Sequence, residues 1–157
     1  MSASAPVCEA LDDWLAAHPS LHTLAVYAAL PGEVDLADLV ARHADRTWLY
    51  PRVVGDHLTF HIVTTPASQL VAGAFNVQEP TPTLTQIPVT SIDAFLCPGL
   101  AFDENGGRLG RGRGFYDRML AGARPNTLKI GVCFAGQIVP DTFSEPHDIP
   151  MDCVVFA

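Results

Sequence analysis

The chain has 157 residues, 48% hydrophobic and 17% charged, which fits one compact domain over residues 1–157 and excludes a disordered polar chain. A formal charge of −8 argues against the basic face of a general nucleic-acid binder. No apolar run approaches the roughly 20 residues that cross a bilayer, and the first residues lack a basic segment ahead of an apolar one, so neither membrane insertion nor a signal peptide is expected.

In chain order, Val7, Ala10, Leu11, Trp14 and Leu15 recur at helical spacing and predict a helix over 7–17, ended by His18-Pro19. Leu24 to Ala28 reads as a buried strand, broken by Pro31-Gly32. Asp35 is placed to cap a helix whose Leu36, Leu39 and Val40 face the core. Trp48-Leu49-Tyr50 is a further strand, expected to lose its standing at Pro51. A hairpin turn around Gly55-Asp56 leads into Leu58 to Val63. Residues 64–89, rich in Pro, Thr and Gln, read as a long, partly irregular connection.

Three more strands are expected at Ala94–Cys97, Lys129–Phe134 and Cys153–Phe156, with a helix from about Phe115 to Ala121 between the first two. Strands alternating with helices predict a three-layer α/β/α fold with a mixed, largely parallel central sheet. Cys8, Cys97, Cys133 and Cys153 lie among apolar neighbours without CxxC spacing. All four are expected to be reduced and buried, in a cytoplasmic protein.

The chemistry concentrates in one loop. Of nine Lys and Arg residues, four (Arg108, Arg111, Arg113 and Arg118) fall within eleven positions, interleaved with Gly110, Gly112 and Gly114. Glycines let a backbone approach a ligand closely, and successive N–H groups then form an anion-binding concavity. Arginines add planar, permanent charge suited to phosphate oxygens. Asp117 follows where a carboxylate can hold Mg²⁺ against those phosphates. The loop is neither GxxxxGK[ST] nor GxGxxG. The competing reading is a Gly-rich surface loop with solvated arginines.

Pro98-Gly99-Leu100-Ala101-Phe102-Asp103 followed by Arg108-Leu109-Gly110-Arg111-Gly112-Arg113-Gly114-Phe115-Tyr116-Asp117 resembles the signature of the 5-formyltetrahydrofolate cyclo-ligases. Blocks at Tyr27 to Asp35, Tyr50 to Val53, Val77 to Pro80, Gln137 to Val139 and Glu145 to Asp152 resemble the same family in order. The resemblance implies ATP-dependent closure of 5-formyltetrahydrofolate to 5,10-methenyltetrahydrofolate. It implies that Arg108, Leu109, Gly110, Arg111, Gly112, Arg113, Gly114, Phe115 and Tyr116 cradle ATP. Arg111, Arg113, Phe115 and Tyr116 would be catalytic, and Arg111 to Phe115 would also face the folate. Glu33 and Ala28 match substrate-binding positions, and Asp117 and Asp148 match positions for Mg²⁺.

From its neighbours alone Asp148 reads as a turn or cap residue, and Glu33 as a solvated loop carboxylate or a ligand for the pterin. His57 and His61 stand four apart, which on a strand spans about 13 Å and cannot converge on a metal, so both read as surface or hairpin residues. His147 is either structural or close to the site. Two departures from the family pattern stand out. Its N-terminal basic helix is not found in residues 1–157, from which weak ATP affinity is expected. Phe115 replaces a frequent Tyr, keeping the ring without the hydroxyl. The expected partner is a small folate, with no nucleic acid and no membrane, and the expected state a monomer. The alternatives are a non-catalytic folate- or nucleotide-binding relative, or a phosphate-binding α/β enzyme acting on another acyl substrate.

Overall fold

The structure, a computed structural model, describes residues 2–157. Its elements are α1 (Ala5–Ala16), β1 (Thr23–Ala25), α2 (Ala37–Arg42), β2 (Thr47–Val54), β3 (His57–Ile62), α3 (Pro66–Gln69), β4 (Leu70–Ala72), β5 (Gln78–Pro80), β6 (Gln86–Ile87), β7 (Ala94–Cys97), β8 (Ala101–Phe102), β9 (Arg108–Leu109), α4 (Phe115–Ala121), β10 (Leu128–Cys133) and β11 (Cys153–Phe156). Seven strands form one sheet in the order β11-β10-β7-β1-β2-β3-β6. The first five run parallel, while β3 and β6 are antiparallel additions at one edge.

Alternation along the strands sends neighbouring residues to opposite faces, so one sheet serves two cores. Leu24, Trp48, Leu96 and Ile130 pack with Val7, Leu11 and Leu15 of α1 and Leu39 of α2. Ala25, Leu49, Phe95 and Cys97 pack with Met119 and Leu120 of α4 on the other face. This is the expected three-layer arrangement. Pro6 lies in the first turn of α1, where its missing N–H costs nothing. Asp35 Oδ1 accepts the Ala37 N–H at 3.0 Å from one residue ahead of the expected place, since the cap position of α2 is Leu36, which offers no side-chain acceptor.

Several expectations are corrected. The strand read over Leu24–Ala28 is assigned only to Thr23–Ala25, after which the chain peels into a loop. Strand β2 does not stop at Pro51 but continues to Val54. Trp48 C=O accepts the Val63 N–H, whereas Leu49 C=O accepts the Val26 N–H. Odd-numbered residues of β2 therefore turn towards β1, and β1 has ended before Pro51 needs a donor.

His61 is buried rather than at the surface. The Leu84 carbonyl can only accept, so Nδ1 carries the proton across 2.9 Å, and Nε2 accepts from the Thr59 hydroxyl at 2.9 Å. The stretch 64–89 is more ordered than expected, holding α3, the β4–β5 hairpin and β6. Cys8, Cys97 and Cys133 are buried as expected, and burial pushes the Cys97 thiol up to about 12. Cys153 is exposed, because β11 closes the sheet with a neighbour on one side only.

A buried carboxylate fastens the turn after β8. Asp103 Oδ1 accepts the Asn105 and Gly107 N–H groups, both at 2.9 Å. Its Oδ2 accepts the Thr142 N–H at 3.0 Å and the Thr142 hydroxyl at 2.7 Å. The Thr142 hydroxyl, helped by the three backbone donors and opposed by burial, holds this carboxyl below its ordinary value of 3.8. A lowered folded-state pKa stabilises the fold above the unfolded value, and that contribution is lost as pH falls through the folded one. Asp103→Asn is expected to cost roughly 3 kcal/mol at pH 7. Denaturant titrations should show the gap to wild type closing below pH 4; a gap independent of pH would rule out the charged form as its origin.

Candidate active site

The chain leaves β1 for β2 on one side and later places β7 on the other. In a parallel sheet such a reversal opens a crevice at the carboxyl ends of the strands, where ligands bind. The loop after β1 carries Tyr27, Ala28 and Glu33, and the segment after β7 carries Pro98 through Gly114. Because β1 and β7 are parallel neighbours, both segments emerge at the same end of the sheet. They enclose a cavity of about 460 Å³.

Every residue to which the family resemblance gives a site role lines this cavity: Ala28, Glu33, the run from Arg108 to Tyr116, Asp117 and Asp148. The Glu33 side chain is only 8% exposed. Its Oε1 accepts the Leu30 N–H at 2.9 Å, and its Oε2 lies 3.6 Å from Arg111 Nη2. Two segments distant in sequence thus meet across the cavity through opposite charges. Arg111 is about half exposed and free on its outer side.

Gly112 has φ +87° and faces open space, so its backbone conformation rather than crowding calls for glycine. Gly114, φ +71°, directs the chain into α4. Arg113 spreads its guanidinium over the Phe75 ring, 3.7 Å from the centroid. Arg108 is turned inwards. Its Nη1 donates to Pro98 C=O at 3.0 Å, the guanidinium lies 5.1 Å from the Tyr116 ring centroid, and Nε is buried without a partner. Arg118, the fourth arginine of the cluster, donates from Nε and Nη2 to Asp56 C=O and so braces the β2–β3 turn.

The two segments that carry the carboxylates read as metal ligands are joined by a side-chain-to-backbone hydrogen bond. Asp117 Oδ1 accepts the Ile149 N–H at 3.1 Å, which draws the residue after Asp148 against the first turn of α4. Asp148 Oδ2 accepts the Glu145 N–H at 2.8 Å, and its Oδ1 is 3.3 Å from His147 Nε2. Among the described residues no group of three or more His, Cys, Asp or Glu forms a metal cluster. Asp117 keeps one oxygen without a partner among the described residues, while Asp148 meets Glu145 and His147 through its two; the pair could serve Mg²⁺, which typically takes one or two carboxylates and completes its shell with phosphate oxygens and water.

Sequence reading missed several residues that shape the cavity. Tyr27 is buried in its wall with a hydroxyl that finds no partner, and burial, then Glu33, keep the phenol protonated. Phe75 and Phe143 line it with left-handed backbones, φ +58° and +55°. Glu79 is buried, with Oε2 accepting the Val53 N–H at 3.1 Å and Oε1 3.3 Å from Arg52 Nη1. It thereby satisfies the edge of β2 that β1 leaves open. A Cβ on Gly73 would run into the Glu79 side chain, so the glycine permits that approach. The Gln78-Glu79-Pro80 block was visible; its partner on β2 was not.

A largely parallel sheet whose switch point joins a Gly/Arg loop to a buried carboxylate defines the class, an α/β protein with a polar ligand crevice. Comparison with known proteins narrows it. The model of the 5-formyltetrahydrofolate cyclo-ligase family matches residues 15–157. The 5-formyltetrahydrofolate cyclo-ligase of Escherichia coli (strain K12) is 34% identical over 144 residues, covering 85% of this chain and 77% of that protein. That of Mycolicibacterium smegmatis is 40% identical over 87 residues, covering 55% of this chain and 45% of that one. The solved 5,10-methenyltetrahydrofolate synthetase of Aquifex aeolicus superposes with a TM-score of 0.81 at 31% identity, over 96% of this chain and 78% of that one. The Mycoplasma pneumoniae synthetase shares the fold, with a TM-score of 0.77 at 23% identity over 97% and 83%. The chain belongs to the 5-formyltetrahydrofolate cyclo-ligase family.

Proposed function

We infer that this chain is a ligase that converts 5-formyltetrahydrofolate to 5,10-methenyltetrahydrofolate at the expense of ATP. The observation that carries the reading is the convergence of Glu33 and the Arg/Gly loop on one cavity, in a chain of this family. The formyl oxygen takes the γ-phosphoryl group, releasing ADP. N10 then attacks the activated formyl carbon and gives up its proton, and the C–O bond breaks as phosphate leaves. An amide-like oxygen is a poor leaving group until it is phosphorylated, so the protein's task is positioning and charge neutralisation.

In this reading Glu33 accepts hydrogen bonds from the amino-pyrimidine edge of the pterin, and Ala28 offers backbone and a methyl group beside it. The backbone from Arg108 to Tyr116 wraps the phosphates. Arg111 and Arg113 supply the charge that the departing phosphate needs, and Phe115 and Tyr116 wall the reacting groups from water. Asp117 and Asp148 would hold Mg²⁺, whose role is to neutralise phosphate charge. No helix among the described residues is long and apolar enough to cross a membrane. In the same reading the protein acts as a cytoplasmic monomer on small molecules, and its charge of −8 opposes the basic face that nucleic acid requires.

The test mixes the chain with 5-formyltetrahydrofolate, Mg²⁺ and ATP and follows the absorbance of the methenyl product. The chromophore should grow only with ATP, and Arg113→Ala should slow it about ten- to a hundredfold. A folded protein that yields no ATP-dependent product would sink the reading.

A further inference from the structure

Phe143 is 83% exposed, far more than any other large apolar side chain among the described residues. Its φ of +55° lies in the left-handed region, which a bulky residue keeps only where the surroundings impose it. Those surroundings are visible. The Phe143 N–H donates to Asp141 Oδ1 at 2.7 Å. Thr142, the residue before, is held through both its N–H and its hydroxyl by buried Asp103. Its hydroxyl also lies 3.1 Å from Ser144 Oγ. The loop is thus pinned on both sides of Phe143, and the pinned loop sets the ring at the wall of the cavity.

Phe75 gives the contrast. It shares the left-handed backbone and the cavity, but its ring already packs under Arg113 and stands 6.1 Å from the Phe115 ring. Among the described residues no ring or cation stacks on Phe143. A phenylalanine whose backbone is strained and pinned, and whose ring stands exposed without a stacking partner at a ligand cavity, adds little to the fold. It is suited to a ring that arrives with the ligand.

We propose that Phe143 is a stacking platform at the cavity mouth for a flat aromatic ring of a bound substrate. The proposal rests on the cyclo-ligase reading, in which both substrates carry such a ring: the p-aminobenzoyl group of the folate and the adenine of ATP. Offset or edge-on ring contact favours this geometry, and losing it weakens binding about tenfold. Phe143→Ala removes the ring. Phe143→Gly removes the ring and the backbone strain together, and Phe143→Trp keeps a platform.

The experiment measures Kd for 5-formyltetrahydrofolate and for ATP separately, then both KM values, for wild type and the three variants. A rise of about tenfold for one substrate in the Ala and Gly variants, reversed in Trp, is the expected result. The substrate affected identifies the ring: folate if its constants rise, nucleotide if those of ATP rise. Phe143→Gly should also raise the thermal midpoint, which separates lost stacking from lost folding. Unchanged Kd and KM for both substrates would overturn the proposal, even with a lowered kcat. Absence of turnover in wild type would instead count against the cyclo-ligase reading, and the two Kd arms would still judge Phe143.

Discussion

Glu33→Gln is expected to raise KM for 5-formyltetrahydrofolate about a hundredfold, with KM for ATP much less affected. The carboxylate is 8% exposed and has two roles to fill. Oε1 holds the Leu30 N–H, which fixes the loop after β1, and Oε2 faces Arg111 and the cavity. Glutamine keeps an oxygen for Leu30 but turns an NH₂ group towards the Arg111 guanidinium and the amino edge of the pterin. Donor then meets donor, and two charge-assisted bonds to the substrate are lost. At roughly 1.5–3 kcal/mol each, these losses make a hundredfold the modest end of the range. Because Leu30 retains its acceptor, the thermal midpoint should move little. Initial rates at varied folate, with a melting curve beside them, would decide the matter; equal rises in both KM values would mean that Glu33 shapes the loops rather than holding the pterin.

Gly106→Ala is expected to destabilise the fold by roughly 3 kcal/mol. Two causes add. The residue has φ +82°, which costs any L side chain, and a Cβ there would press on the Met151 carbonyl oxygen. Backbone cannot swing aside as a side-chain tip can, and Gly106 C=O also accepts the Met151 N–H at 2.7 Å. Gly55→Ala is the built-in control, since Gly55 has φ +62° with nothing near its missing Cβ and should cost only the backbone term, about 1 kcal/mol. Urea melts of the two variants would show the difference; equal losses would mean that crowding against Met151 contributes nothing. The turn at Gly106 also carries Asp103, so the weaker variant should show looser anchoring of the Thr142 segment.

Where local signals were strong, the structure follows the sequence. Ala94–Cys97 and Cys153–Phe156 are strands, and α4 spans Phe115–Ala121 directly after Gly114. Their boundaries are set by residues next to them: apolar runs, glycines, and a shift from period two to a helical period. Pro51 misled because a missing N–H matters only if a neighbour needs it, and that depends on where β1 ends. His61, read as a surface or hairpin residue, is on the hairpin but buried, because Leu84 covers it from another part of the chain. The Glu79 contact with β2, the unpartnered Tyr27 hydroxyl and the aromatic loops at Phe75 and Phe143 left no comparable trace. Left-handed backbone at a phenylalanine opposes local preference and is held by contacts such as Asp103 to Thr142, made between distant segments.

By itself the sequence determined the alternation that divides residues between two cores, the Gly/Arg loop with its permanent charge, and the order of blocks that places the chain in its family. Those properties reside in residue type and short-range spacing. Only the tertiary structure decided that Glu33 faces Arg111, that Asp117 is tied to the chain beside Asp148, and that Phe143 stands unpartnered at the cavity. Each depends on which strands become neighbours: β1 and β7 lie side by side and parallel, so their carboxyl ends open one crevice. That adjacency is a property of the packed sheet, stabilised by burial on both its faces, and no local stretch of the chain encodes it.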